Sequence, residues 1–355
     1  MNTSFNNYTN VHLVLIRLSA MGDVAMSVHV ILAFREKYPK AKITVVTKKL
    51  FQPIFEQISN TCIIVWDTKI KHKGFLGILK IYQEIKKIKP THFADLHQVL
   101  RSKTLTLLLS LNKTILCKSI DKGRKEKKAL THWERKTFKP LKTSHQRYLE
   151  VLIDLGFTNI QLKAKNILTP LCLSLNSKKC INYNSSKTYI GIAPFAQHES
   201  KVYPIEQLKK VIIELNKNDN YQILLFGGGS YEKQQLDTIC KTLKNTHNLV
   251  GKLNFREELE VISQLKLMIS MDSGNGHLAT MYGVPVISIW GLTHPYAGFA
   301  PYMQISENNI LPDLEKFPKI PTSVYGNKYP KGYLEAFNTI NYKDIIKRSL
   351  EVINE

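Results

Sequence analysis

Val11-His-Leu-Val-Leu-Ile-Arg-Leu-Ser-Ala-Met-Gly-Asp23 runs on through VAMSVHVILAFREK to Lys37, then through YPKA to Lys42-Ile-Thr-Val-Val-Thr47. Val11–Ile16 is an unbroken apolar run, as expected of a parallel strand covered on both faces. A short Ser-Ala-Met-Gly-Asp loop turns it into a helix from Val24 to about Lys37. Lys42–Thr47 is a second strand of the same kind. Strand, short loop, helix, strand is the unit from which open parallel α/β sheets are built.

The rhythm continues outward from there. Strands are expected at Ile63–Trp66 and His92–Leu96, with a helix at Phe75–Ile88 between them. Ser174–Lys187 (SLNSKKCINYNSSK) is polar and rich in breakers, and is read as a linker. Beyond it the alternation restarts with strands at Tyr189–Ala193, Tyr221–Phe226, Leu267–Met271 and Val284–Trp290. The intervening helices are Ile205–Asn216, Glu232–Leu243 and Arg256–Leu265, and Asn341–Ile353 is an amphipathic terminal helix. A chain of 355 residues is long for one core. The expected organisation is an N-terminal domain at 1–180, a second at 181–335, and a C-terminal helix at 336–355 able to pack back on the first. Two such halves imply a cleft lined by the carboxyl ends of their strands.

Composition narrows the function less. Hydrophobic residues make up 43% and charged residues 22%, and the formal charge is +22 from 50 Lys+Arg and 28 Asp+Glu. A field of that sign attracts nucleic acid, an anionic membrane or phosphorylated substrates, and equally describes solvated lysine-rich faces. Five cysteines with no CxxC pair fit free thiols in a reducing cytosol and give no zinc spacing. MNTSFNNYTN has neither the basic nor the apolar region of a signal peptide. The longest apolar stretches, such as Leu105–Leu109, are too short to span a bilayer. No aromatic–basic stacking module of a nucleic-acid binder is present.

Four constellations carry chemistry. Gly22-Asp23 closes the first strand-to-helix loop. Asp23 there is either a first-turn capping residue or a general base aimed into the cleft. Gly227-Gly228-Gly229 follows the strand YQILLF and can accommodate a phosphate or sugar. Asp272-Ser-Gly-Asn-Gly-His277 opens a helix after LMISM, and is followed by Tyr282-Gly-Val-Pro-Val286. Its helix start can hold a diphosphate, with Ser273 and His277 donating. Ala193-Pro-Phe-Ala-Gln-His-Glu-Ser-Lys201-Val-Tyr-Pro204 sets Lys201 just before a helix, as a solvated charge or as a phosphate ligand. No DxD metal-chelating motif occurs, so leaving-group charge falls to Lys, His and helix ends.

In this order the constellations resemble glycosyltransferase family 9, the ADP-heptose:lipopolysaccharide heptosyltransferases, from Val11 to about Gly291. The most specific parts are RLSAMGD, HESKVYP and MDSGNGHLATMYGVPVISIWG. The resemblance implies a GT-B fold, two Rossmann-like parallel-sheet α/β domains facing a central cleft, and an inverting transfer without metal or other cofactor. It makes Asp23 the catalytic base, with Gly22 beside it in the phosphate cleft. It makes Lys201 a donor phosphate ligand and Asp272 the heptose-binding residue. Ser273, Gly274 and His277 match the diphosphate turn, and Leu253 stands near the adenine. Gln197, Gly228 and Gly229 complete the donor set. Ala196 and Gln197 replace the Thr or Ser frequent before the lysine, and Ser230 stands where an acidic residue is common.

The implied partners are ADP-heptose or a similar nucleotide-sugar, a phosphorylated glycolipid of the lipopolysaccharide or lipooligosaccharide core, and the anionic inner face of the cytoplasmic membrane, with no nucleic acid. The localisation expected is cytoplasmic and peripheral. The acceptor and membrane patch is assigned to Arg101, Arg124, Lys125, Lys127 and Lys128, each worth roughly 1 kcal/mol near an anionic surface. The competing readings are a GT-B enzyme for another nucleotide-sugar, including an epimerase, and a basic nucleic-acid-binding protein.

Overall fold

The computed structural model describes residues 10–355. The opening nine residues, part of the stretch read as lacking a signal peptide, lie outside the described residues. The chain divides into two compact units.

Unit 1 contains the described residues up to Lys122 together with Ser144–Leu168. Its strands are β1 (His12–Ile16), β2 (Lys42–Thr47), β3 (Thr61–Val65), β4 (His92–Asp95) and β5 (Leu116–Ser119). They form one parallel sheet in the order β3-β2-β1-β4-β5. Leu13 through Ile16 are all buried, because helices cover both faces of the sheet and period-two alternation has no exposed face to serve. The helix Met21–Lys37 is buried from Val24 to Val30 without a break, the all-round burial its apolar sequence requires. It starts at Met21 rather than Val24, so Gly22 and Asp23 are its second and third residues, inside the first turn. The helix Gly74–Lys87 buries Ile78, Ile81 and Ile85, one stripe at helical spacing.

Unit 2 contains Gly123–Thr143 and Thr169–Glu355. Its strands are β6 (Thr188–Ala193), β7 (Tyr221–Leu225), β8 (Thr246–Asn248), β9 (Leu267–Met271), β10 (Val286–Ile289) and β11 (Asn309–Ile310). They too are parallel, in the order β11-β10-β9-β6-β7-β8. Each sheet is built outward from its first strand on one side, then on the other. Each therefore has a switch point, between β1 and β4 in unit 1 and between β6 and β9 in unit 2, where adjacent loops diverge and leave a crevice.

Three expected boundaries are corrected. The division lies between Leu168 and Thr169, not at 180/181. The linker residues are tied into unit 2: the Leu171 N–H donates to Ser263 Oγ (3.0 Å), and the buried Glu260 carboxylate takes the Ser174 N–H (2.9 Å) and the Ser177 hydroxyl (2.7 Å). The basic stretch Gly123–Thr143 belongs to unit 2 rather than the N-terminal half. Trp133 Nε1 donates to the Thr322 carbonyl (2.8 Å), and the Leu141 N–H to the Tyr296 carbonyl (2.9 Å). The terminal helix, Tyr342–Asn354, belongs to unit 2: it packs on the helix Ile205–Asn216, and its Ile345 and Val352 enter the unit 2 core.

Candidate functional site

In unit 1 the switch point brings together the ends of β1 and β4. Arg17, just past β1, is buried, and its guanidinium pairs with Asp23 Oδ2, donates to the Leu96 carbonyl and lies over the Tyr148 ring. Burial works against that charge, but Tyr148, Asp23 and Asp95 outweigh it and hold the guanidinium above its usual value. The Ala20 N–H also donates to Asp23 Oδ2 (3.2 Å), and the buried Tyr148 hydroxyl donates to the Asp23 carbonyl (3.2 Å). Burial drives that phenol well above its ordinary value, with Asp23 adding to the effect, so it stays protonated.

Asp23 is thus a first-turn cap and something more. Both contacts fall on Oδ2, while the side chain remains 25% exposed. Capping and proton acceptance do not compete, because a carboxylate has two oxygens.

The buried Asp95 carboxylate takes the His97 N–H (2.9 Å) and the Gln98 N–H (2.7 Å), folding the loop after β4 back onto the strand end. Burial, then the charges of Arg17 and Lys122, push the His97 imidazole down to about 4. It is neutral at physiological pH, and its buried Nδ1 has no hydrogen-bond partner among the described residues. Arg17, Asp95, His97 and Tyr148 were not singled out in the sequence. Arg17 stands in RLSAMGD, but its tie to Tyr148 spans more than a hundred residues.

In unit 2 every donor residue expected from sequence lies on the carboxyl edge of the sheet. Gln197 and Lys201 follow β6, Gly228 and Gly229 follow β7, Leu253 follows β8, and Asp272–His277 follow β9. Those after β6 and β9 flank the switch point. Lys201 Nζ is 2.9 Å from Asp272 Oδ2, with side chains 15% and 9% exposed, and the Thr293 hydroxyl donates to the same oxygen (2.8 Å). A lysine ammonium has three donors, so this pair leaves two for a phosphate. Ser273 caps the helix Gly274–Thr280 by position, but its side chain makes no cap bond. Its Oγ is buried with no hydrogen-bond partner among the described residues. His277 is buried in the second turn of that helix, and Gly276 packs so tightly that a Cβ would lie 2.7 Å from Ser270 Oγ.

Other donor candidates fare differently. The Gly228 N–H already donates to Glu232 Oε2 (2.6 Å), so this carboxylate occupies the amide that a phosphate would need. Gly229 is open, at φ +79°. Gln197 is exposed. Leu253 is buried just after Gly251, whose φ of +73° lets the chain turn there.

Gly326 is a residue whose role the sequence did not reveal. At φ +81° its missing side chain would lie 2.7 Å from Ser200 Oγ and 2.8 Å from Lys201 Cγ and Cδ, and its carbonyl accepts from the Ser200 hydroxyl. The lysine stem is thus laid across a glycine. Gly326→Ala is expected to displace Lys201 and, if the lysine holds the donor phosphate as the resemblance implies, to weaken nucleotide binding. Gly332→Ala is the control, because Gly332 has the same φ with nothing within 4 Å. Both variants should lose about 1 kcal/mol of stability to the left-handed backbone. Only the first should lose ADP affinity by calorimetry, and equal affinities would remove Gly326 from the site.

The five residues assigned to a membrane patch are divided between the two units. Arg101 is exposed in unit 1, whereas Arg124, Lys125 and Lys128 are exposed on the helix Arg124–Leu130 of unit 2. Lys127 is buried, with Nζ 4.2 Å from the Phe299 ring centroid, and faces the protein rather than a bilayer.

Comparison with known proteins bears on the family and the fold. The model of glycosyltransferase family 9 (heptosyltransferase) matches residues 78–327, a range that holds Lys201, Asp272 and His277 and begins after Asp23. The chain is 25% identical over 304 residues to the lipopolysaccharide core heptosyltransferase OpsX of Haemophilus influenzae, covering 82% of this chain and 81% of that protein. It is 26% identical over 284 residues to lipopolysaccharide heptosyltransferase 3 of Escherichia coli K12, covering 77% and 80%. Among solved structures, the family 9 glycosyltransferase of Veillonella parvula superposes with a TM-score of 0.74 at 19% identity, over 99% of each chain. ADP-heptose lipopolysaccharide heptosyltransferase II of E. coli does so with 0.67 at 16%, over 97% of this chain and 99% of that one. With two parallel-sheet units of the GT-B kind and a match over most of its length, the chain belongs to glycosyltransferase family 9, the heptosyltransferase family, and is a glycosyltransferase.

Proposed function

We propose that the chain transfers a heptose from ADP-heptose to a phosphorylated glycolipid of the lipopolysaccharide or lipooligosaccharide core, with inversion and without a metal, at the inner face of the cytoplasmic membrane. The observation that carries this reading is the Lys201–Asp272 pair beside the unpartnered Ser273 hydroxyl, at the switch point of a family 9 sheet. The names of the curated relatives support the acceptor class.

Asp23 takes the proton of an acceptor hydroxyl as that oxygen forms its bond to the anomeric carbon. The bond from that carbon to the β-phosphate oxygen breaks, and its electron pair leaves on ADP. Lys201, Ser273 and His277 receive the developing charge, placed before the reaction begins. Asp272, anchored by Lys201 and Thr293 through one oxygen, keeps the other for sugar hydroxyls. Arg17 holds Asp23 in place, and neutral His97 accepts a bond from the acceptor. Positioning supplies much of the rate.

The test is a donor panel with purified protein, scored for transfer to a core acceptor with and without EDTA. ADP-heptose is expected to be used and UDP-sugars not, and excess EDTA should leave the rate unchanged. Turnover restricted to a UDP-sugar would replace the donor assignment. Loss of activity in EDTA restored by magnesium or manganese would overturn the metal-independent scheme.

A further inference from the structure

The loops after β2, β3 and β4 all lie on the carboxyl edge of the unit 1 sheet, since these strands are parallel to β1. β1 stands between β2 and β4, so the loop carrying Asp23 lies among them. Large apolar side chains project into solvent from each of the three: Leu50 after β2, Ile70, Phe75 and Leu76 after β3, and Leu100 after β4. Ile70 is 84% exposed and Leu100 82%. Singly exposed leucines need no explanation, but five that follow three parallel strands of one sheet share its carboxyl edge.

The local structure holds these residues out. Asp67 Oδ1 accepts the Lys69 and Ile70 N–H groups, each at 3.0 Å, and the His72 N–H donates to the Asp67 carbonyl (2.8 Å). His72 is buried, and the helix beginning at Gly74 is pressed against it: a Cβ on Gly77 would lie 2.0 Å from the His72 carbonyl carbon. The turn is therefore pinned at its base, with Ile70 at its tip. The helix spends Ile78, Ile81 and Ile85 on the core, which leaves Phe75 and Leu76 outward.

Charge surrounds the apolar residues. Lys48, Lys49, Lys69, Lys71, Lys73, Arg101 and Lys103 lie in the same three segments. Of the acids in these segments, Asp67 is turned onto backbone N–H groups and Glu56 is exposed, and among the described residues Lys71 alone of the cations finds a carboxylate, Glu84 at 2.6 Å. Lys49, Lys69, Lys73, Arg101 and Lys103 have no ion-pair partner among the described residues.

We propose that this edge of unit 1 is a membrane-docking face, with Leu50, Ile70, Phe75, Leu76 and Leu100 entering the headgroup–acyl boundary of an anionic bilayer and the surrounding lysines and Arg101 meeting its lipid phosphates. Apolar anchors and cationic attraction together give stable peripheral binding where either alone is marginal. The seven cations of these segments outnumber their two acids, Glu56 and Asp67, and this excess sets the sign of the partner. Such a face brings Asp23 to the layer in which the sugar of a lipid-linked acceptor lies. That purpose rests on the proposed function, whereas the surface itself does not.

The test is sedimentation of the full chain with phosphatidylglycerol-containing vesicles and with phosphatidylcholine vesicles. The parent should partition to the first in a salt-sensitive manner and little to the second. A combined Ile70→Ser, Phe75→Ser and Leu76→Ser variant should lose about tenfold or more of that partitioning even at low salt. Lys69→Gln with Lys73→Gln should weaken binding and flatten its salt dependence. Arg124→Gln, Lys125→Gln and Lys128→Gln together should leave it unchanged.

An unchanged melting temperature in the serine variant, with parent-like transfer to an acyl-free soluble acceptor, separates docking from folding and chemistry. The proposal is overturned by a parent that ignores anionic vesicles or by a serine variant that binds like the parent. It is overturned equally if sedimentation velocity shows the serine changes dissolving a dimer while vesicle binding persists, because the face would then join two copies. Vesicle binding as expected with no heptosyl transfer by the parent would reject the function and keep the surface.

Discussion

Asp23→Asn is expected to reduce kcat by about 10²- to 10⁴-fold, the usual contribution of a positioned general base. Affinity for the donor nucleotide should stay within about twofold, because Asp23 belongs to unit 1 and the proposed phosphate ligands to unit 2. The variant suits the site because the amide oxygen can still accept the Ala20 N–H and keep the helix start. What it removes is the negative charge that Arg17 pairs with and the capacity to take a proton. Arg17 is buried, so a loss of stability of a few kcal/mol is also expected. Melting curves should be recorded beside single-turnover rates, so that a slow enzyme is not confused with a partly unfolded one. Turnover by the folded variant within a few-fold of the parent would remove Asp23 as the base and leave it a capping residue.

Lys201→Ala should weaken ADP binding by about 1.5–3 kcal/mol, the range for a hydrogen bond to a charged group, or roughly 10- to 150-fold. The geometry places the effect at the upper end of that range. Without the ammonium, Asp272 keeps the Thr293 hydroxyl but no cation, and a nearly buried carboxylate then faces an incoming diphosphate. Adding Asp272→Asn should recover part of the loss, since the repulsion disappears while the lysine is still missing. Residues in contact are expected to be non-additive in this way. His277→Ala should act in the same direction as Lys201→Ala, more weakly. Calorimetry giving parent-like ADP affinity for Lys201→Ala would exclude the lysine from the donor site, and strictly additive effects of the two substitutions would exclude the repulsion.

The strands that mattered most were readable because they are long and unbroken. VHLVLI, KITVVT, YQILLF and LMISM are apolar on both faces, a pattern that only a covered parallel strand requires. The residues following them were readable for a related reason. In a parallel sheet all carboxyl ends fall on one edge, so polar and glycine-rich turns after successive strands must converge there whatever their separation in the chain. Asp23, Lys201, Asp272, Ser273 and His277 were singled out by that logic together with the family resemblance. β5, β8 and β11 were not found. LCKS, THN and NI are short and partly polar, and they become strands through pairing with β4, β7 and β10. β8 is polar yet buried or half-buried because Asn248 and His247 satisfy their side chains on Asp237 and Gln222.

Local pattern therefore settled the fold class and the order of the main elements, and placed the candidate loops at the strand ends, since hydrophobic period and turn residues act over a few neighbours. Tertiary structure alone decided the rest. Gly123–Thr143 is rich in lysine and arginine, yet Trp133, Lys127 and Leu141 find partners more than a hundred residues later, and these assign it to unit 2. Gly326 looks like one more loop glycine until the Lys201 stem is seen lying across it. Arg17, His97 and Tyr148 become a site only when β1, β4 and the helix Ser144–Asp154 meet. Long-range contacts leave no periodic trace in the chain, because the energy that selects them depends on which surfaces are brought together and not on the spacing of residues along the sequence.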